Sequence, residues 1–155
     1  MKKLKFIVII FILTAFFDLC YGQKLNTTIT GQIKDNNKSK LLWFQYGGFS
    51  DTIYALVSGY IYTGDSLNKS PLDSVSIISY RPDPTDTIAY ADNKGYFIIA
   101  FCQGTFTILI KKKGYQTIKL NNYYSLPDQI SHLEAILIKG EGVVEYDIDR
   151  EKINK

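Results

Sequence analysis

The sequence has one histidine, two cysteines and one methionine in 155 residues. With so few imidazoles and thiols, a metal cage built from His and Cys is not expected. Long apolar runs are also missing. Phe6–Phe17 is 12 uncharged residues, short of the roughly 18 needed to span a bilayer. Net charge is small: 18 Lys and Arg stand against 15 Asp and Glu, giving +3. Residues 1–22 hold three lysines and one aspartate, which leaves +1 for the remainder. So small a charge makes no electrostatic case for nucleic acid or an anionic membrane surface. Amphipathic helical periodicity is absent after residue 22.

The N-terminus reads as an export signal. Lys2, Lys3 and Lys5 precede the apolar run, Asp18 ends it, and Cys20-Tyr21-Gly22 offers small residues for cleavage before Gln23. An uncleaved anchor and a lipidated Cys20 are the alternatives, but Leu19 and Asp18 do not suit a lipobox. Cleavage after Gly22 leaves Cys102 as the sole thiol, with no partner for an internal disulfide. It sits in an apolar strand and is expected to pack as a small hydrophobe.

What is abundant is Ile, Val, Thr, Tyr and Phe, punctuated by Gly, Asn, Asp and Pro. That is strand composition with turn signals. The expected strands are 28–34, 42–46, 53–62, 74–80, 87–91, 96–102, 105–112, 116–120 and 132–139, with Val143–Tyr146 a further edge candidate. Alternation puts Phe97, Ile99 and Phe101 on one face of a strand and Phe106, Ile108 and Ile110 on one face of the next. These six are the expected core centre, joined by a Gln103-Gly104 hairpin. Asp92-Asn93-Lys94-Gly95 and Lys113-Gly114 read as turns. Arg81–Asp86, with two prolines, reads as a stiff loop.

Several of these segments together resemble a known family. Ser58-Gly59-Tyr60-Ile61 is followed by Pro71-Leu72, Val75-Ser76-Ile77, Asp92-Asn93-Lys94-Gly95-Tyr96-Phe97, Gly104-Thr105-Phe106-Thr107-Ile108 and Gly114-Tyr115. That order is similar to the carboxypeptidase regulatory-like domain. The resemblance implies an all-β, seven-stranded antiparallel transthyretin-like sandwich over residues 54–139. Asp73-Ser74 and Ala91 depart from the family pattern. Residues 1–22 are then the signal, 23–53 an additional N-terminal β segment, and 140–155 a charged surface tail. The stretch 29–33 echoes 57–61, as a partial duplication or by chance. The resemblance implies a non-catalytic accessory of the bacterial envelope that acts on a protein partner and needs no cofactor.

Trp43, Phe44, Tyr46, Tyr60 and Tyr62, with Phe49 and Tyr54 nearby, form the candidate binding set. Such aromatics stack on sugars or anchor a protein partner when exposed, and close the sandwich when buried. A carbohydrate-binding module is therefore the second functional reading. Asp83, Asp86, Asp92 and Asn93 supply oxygen donors but lack calcium-loop spacing, so turn formation is the expected role. Lys111–Lys113 reads as a solvated tip. The sequons Asn26-Thr27-Thr28 and Asn68-Lys69-Ser70 matter little in a bacterial host. Catalysis is not expected: Ser and Asp residues have no base, because His132 reads as an isolated surface or edge residue.

Overall fold

A computed structural model describes residues 37–81 and 87–148. The expected signal segment with Cys20, the expected strand 28–34, loop positions 82–86 and residues 149–155 lie outside the described residues. The described chain forms ten strands in two five-stranded sheets. The first sheet contains β1 (Lys40–Phe49), β2 (Ala55–Gly64), β3 (Lys69–Pro71), β6 (Tyr96–Phe101) and β9 (Gln129–Leu137). There β9 lies between β1 and β2, and the far edge of β2 is shared by β3 and β6. The second sheet runs β10 (Val143–Asp147), β8 (Thr117–Ser125), β7 (Gly104–Lys111), β4 (Ser76–Tyr80), β5 (Thr87–Tyr90).

The all-β reading holds, but the seven-stranded antiparallel arrangement is corrected to ten strands in two mixed sheets. β9 inserts between two oppositely running strands, so it is antiparallel to β1 and must be parallel to β2. β10 pairs with β8 in parallel as well. Of the strands absent from the sequence reading, β3 is three exposed residues with no apolar pattern.

The core follows from alternation. Phe97, Ile99 and Phe101 of β6 and Phe106, Ile108 and Ile110 of β7 are all buried between the sheets. Each contributes roughly 1.5–3 kcal/mol by leaving water. The Phe101 ring lies 5.1 Å from Phe106 and 5.5 Å from Tyr123. The expected hairpin at Gln103-Gly104 is instead an arch, because β6 and β7 belong to different sheets. Their phenylalanines Phe101 and Phe106 therefore meet edge-on across the core. Cys102 stands one residue past β6, where Phe101 takes the last inward position, so the thiol is exposed instead of packed.

The edge candidate Val143–Tyr146 is strand β10, while the burial of its apolar residues departs from the expected surface tail. Val144, Tyr146 and Ile148 are buried, while Val143, Glu145 and Asp147 face outward. The period-2 pattern makes this charged stretch the edge of the second sheet. The Leu41 backbone N–H donates to the Tyr146 hydroxyl at 3.1 Å, tying β1 to β10. Among the described residues, no helix is long and apolar enough to cross a membrane.

Candidate functional site

The outer face of the first sheet is built by register. Trp43 on β1 pairs with Glu134 on β9, Glu134 with Tyr60 on β2, and Tyr60 with Tyr96 on β6. The next row holds Gln45, His132, Ser58 and Ile98. Adjacent strands lie about 4.8 Å apart, so side chains within a row are neighbours. Trp43 and Tyr60 thus flank β9 at about 10 Å from each other across the sheet, two strand spacings apart.

At the centre, Ser58 Oγ and His132 Nδ1 are 2.7 Å apart. With the ring proton on Nε2, the serine hydroxyl donates to Nδ1. Two glycines permit this contact. A Cβ on Gly59 would overlap the Leu133 carbonyl oxygen, so glycine lets β2 approach β9 closely enough to pair Ser58 with His132. A Cβ on Gly47 would stand 2.6 Å from His132 Cδ2 and 2.8 Å from Nε2, so glycine also makes room for the imidazole on β1. Gly59 fixes the backbone and Gly47 the ring.

The surrounding groups are aromatic and paired. Tyr60 stacks on Tyr62, with centroids 6.2 Å apart and planes 18° from parallel, and lies 5.3 Å from Tyr96. Lys69 Nζ sits 4.3 Å from the Tyr62 ring centre and 3.0 Å from the Glu134 carboxylate. Burial first, and the Glu134 carboxylate second, push the Tyr62 hydroxyl above its ordinary pKa, with Lys69 opposing. Leu56 and Ile98 border Ser58 on the apolar side.

The structure divides the expected aromatic set. Trp43 is 39% exposed and Tyr60 41%, and Tyr62 is half-buried beside them. Phe44 and Tyr46 are corrected out of the site. They occupy inward positions of β1 and belong to the core, where Phe44 meets Tyr123 edge-on at 5.8 Å. Phe49 and Tyr54 are exposed near the β1–β2 connection. Ser58, His132, Glu134 and Tyr96 were missed. The signal for two of them is the His132-Leu133-Glu134 alternation, which puts His and Glu on one face. Their pairing with β2 depends on long-range register that local pattern does not carry.

Elsewhere the polar groups have structural roles. The Asp92 carboxylate accepts from the backbone N–H groups of Lys94 and Tyr96, closing its turn. Lys112 is held by the backbone and carboxylate oxygens of Asp73. Among the described residues, no three His, Cys, Asp or Glu side chains are placed to hold a metal ion.

No family model and no curated protein matches this chain. Two solved structures that resemble it are hydroxyquinol 1,2-dioxygenase from Pseudomonas putida DLL-E4 and 3-chlorocatechol 1,2-dioxygenase from Rhodococcus opacus 1CP. The first is 12% identical with a TM-score of 0.44, covering 81% of this chain and 71% of that one. The second is 10% identical with a TM-score of 0.44, covering 81% and 78%. The exclusion of catalysis rested on serines with no base within reach; Ser58 Oγ and His132 Nδ1 stand 2.7 Å apart, so that exclusion, and the non-catalytic envelope accessory that depended on it, are corrected. The carbohydrate-module alternative is not carried forward either, since burial of Phe44 and Tyr46 splits the aromatic set on which it rested.

Proposed function

We propose that the outer face of the first sheet binds a small aromatic ligand bearing one polar substituent. The observation that carries this reading is the Ser58–His132 pair on a face that also carries the exposed rings of Trp43 and Tyr60 and the half-buried rings of Tyr62 and Tyr96. Trp43, Tyr60 and Tyr96 offer ring faces and edges, which favour stacked or edge-on aromatic contact. Leu56 and Ile98 give the ligand's apolar edge a matching border. Ser58 and His132 supply hydrogen-bonding groups for the single substituent. We further propose that residues 1–22 direct export of the chain, and that its fold family is the one its turn motifs resemble.

The test uses the single tryptophan of the sequence, which lies in the site. Acetanilide, a flat ring with one amide, is titrated while tryptophan emission is recorded. A saturable change is expected in the wild type. Loss of the stacking partner in Tyr60→Ala should weaken it roughly two- to tenfold, the range of one aromatic contact. A featureless titration, or identical curves for both proteins, would overturn the reading.

A further inference from the structure

We infer that Ser58 is a nucleophile for acyl transfer from small aryl esters, with His132 as its general base. This rests on the aromatic-ligand reading of the same face and adds a reaction to it. A serine hydroxyl is a weak nucleophile until a neighbouring base takes its proton. His132 Nδ1 is 2.7 Å from Ser58 Oγ, within the reach that proton transfer requires. Both side chains project from adjacent central strands, and Gly47 and Gly59 hold the contact from either side. Rigid strands hold catalytic groups more precisely than loops do.

In the first step the Ser58 oxygen attacks the ester carbonyl carbon, and its proton passes to His132 Nδ1. The carbon–oxygen bond to the phenol breaks, and the leaving phenolate takes the proton from Nδ1. Ser58 then carries the acyl group as an ester. In the second step water attacks that carbonyl, gives its proton to Nδ1, and the Ser58 oxygen recovers it as the carboxylic acid departs. No oxidant or reductant enters. Ser58 is only 6% exposed, so the geometry points to a short acyl group, acetyl rather than a long chain. Rings on Tyr60 and Tyr96 would receive the aryl leaving group.

The experiment treats the intact protein with 4-nitrophenyl acetate, follows nitrophenolate release, and maps the acetylated peptide by mass spectrometry. The expected result is acetyl on Ser58, absent in Ser58→Ala. Release should fall about 100-fold or more in His132→Gln, the usual loss when a general base is removed. If His132→Gln fails to fold, Gly47→Ala replaces it. That change pushes the imidazole off Ser58 without altering either reacting group, and should also cost about 100-fold at an unchanged melting midpoint. Acetylation confined to surface lysines overturns the acyl-transfer inference. So does release unaffected by Ser58→Ala. If acetanilide still binds in that case, the aromatic-ligand reading survives. If it does not, both fall.

Discussion

The two sheets present very different outer faces. On the second, Glu145 is held by Lys119 at 3.2 Å and Asn121 at 2.9 Å, and the Asn122 amide donates to Asp147 at 3.3 Å. Thr105, Thr107 and Lys111 continue that face along β7, and its exposed apolar residues are Tyr80 at the end of β4, Ile88 and Tyr90 on the edge strand β5, and Val143 on the edge strand β10. On the first, Trp43, Tyr60 and Tyr96 surround a serine bonded to the histidine. Both faces obey the same alternation and cover the same core. The difference lies in what the outward positions are asked to do. Solvated ion pairs satisfy one another and leave little for a ligand to displace. The exposed rings of Trp43 and Tyr60 near a Ser–His pair keep their contact surface available.

The largest effect should come from Gly59→Ala. The new Cβ meets the Leu133 carbonyl, so β2 and β9 must separate. Overpacking usually costs about 1–3 kcal/mol, and a clash with fixed backbone puts this one at or above the upper end. Denaturant unfolding should show that loss, and the Ser58–His132 contact should disappear with it. An unperturbed midpoint would mean that strand approach does not set the site.

Neighbouring residues on β1 sharpen the contrast between inner and outer positions. Phe44→Ala removes a buried ring and should cost about 3–5 kcal/mol. Trp43→Ala should cost under about 1 kcal/mol, because its ring is more than a third exposed. Calorimetry separates the two. Comparable losses would place Trp43 in the core and remove it from the site.

Tyr146 probes the seam between the sheets. Burial raises its hydroxyl above the ordinary value of 10.0, while the bond from the Leu41 N–H lowers it. A phenol whose folded pKa is raised stabilises the fold fully below the unfolded value. That stabilisation is lost as pH rises from about 10 through the folded value. Tyr146→Phe should therefore flatten the alkaline limb of the stability profile. It should also cost about 1–3 kcal/mol at neutral pH, because the buried Leu41 N–H loses its acceptor.

The smallest effect belongs to the charged face. The Asn121 hydrogen bond, with Lys119 second, holds Glu145 below the usual carboxylate range. Such a group stabilises above its unfolded pKa, and the contribution fades as pH falls through the folded one. Exposure screens it. Glu145→Gln should leave the melting midpoint at pH 7 unchanged and slightly flatten the acid limb. It should not alter acetanilide binding. A binding defect in Glu145→Gln would break the distinction between the faces.

Local pattern carried the sequence reading a long way for the core. Phe97, Ile99, Phe101, Phe106, Ile108 and Ile110 are buried as alternation requires, and Tyr60 and Tyr62 share the outer face as spacing requires. What alternation does not encode is which strands become neighbours. β9 enters between β1 and β2, and that choice alone turns His132 from an apparent edge residue into a central one facing Ser58. Alternation also left the inward half of the aromatic set unassigned. Trp43 and Phe44 are adjacent in sequence and face opposite ways, and the β1 bulge between Leu41 and Trp43 shifts the register there. The edge candidate Val143–Tyr146 is strand β10, and the same alternation buries Ile148 two residues on, where charged composition alone suggests a surface tail.

The central claim is that the first sheet's outer face is the working surface. The most direct test is a titration of isotope-labelled protein with acetanilide, followed by amide and side-chain chemical shifts. Saturable shifts are expected, concentrated at the Trp43 indole, Ser58, Tyr60, Tyr96 and the His132 ring. Shifts centred on Glu145, Lys119 and the second sheet, or no saturable shift at all, would contradict it.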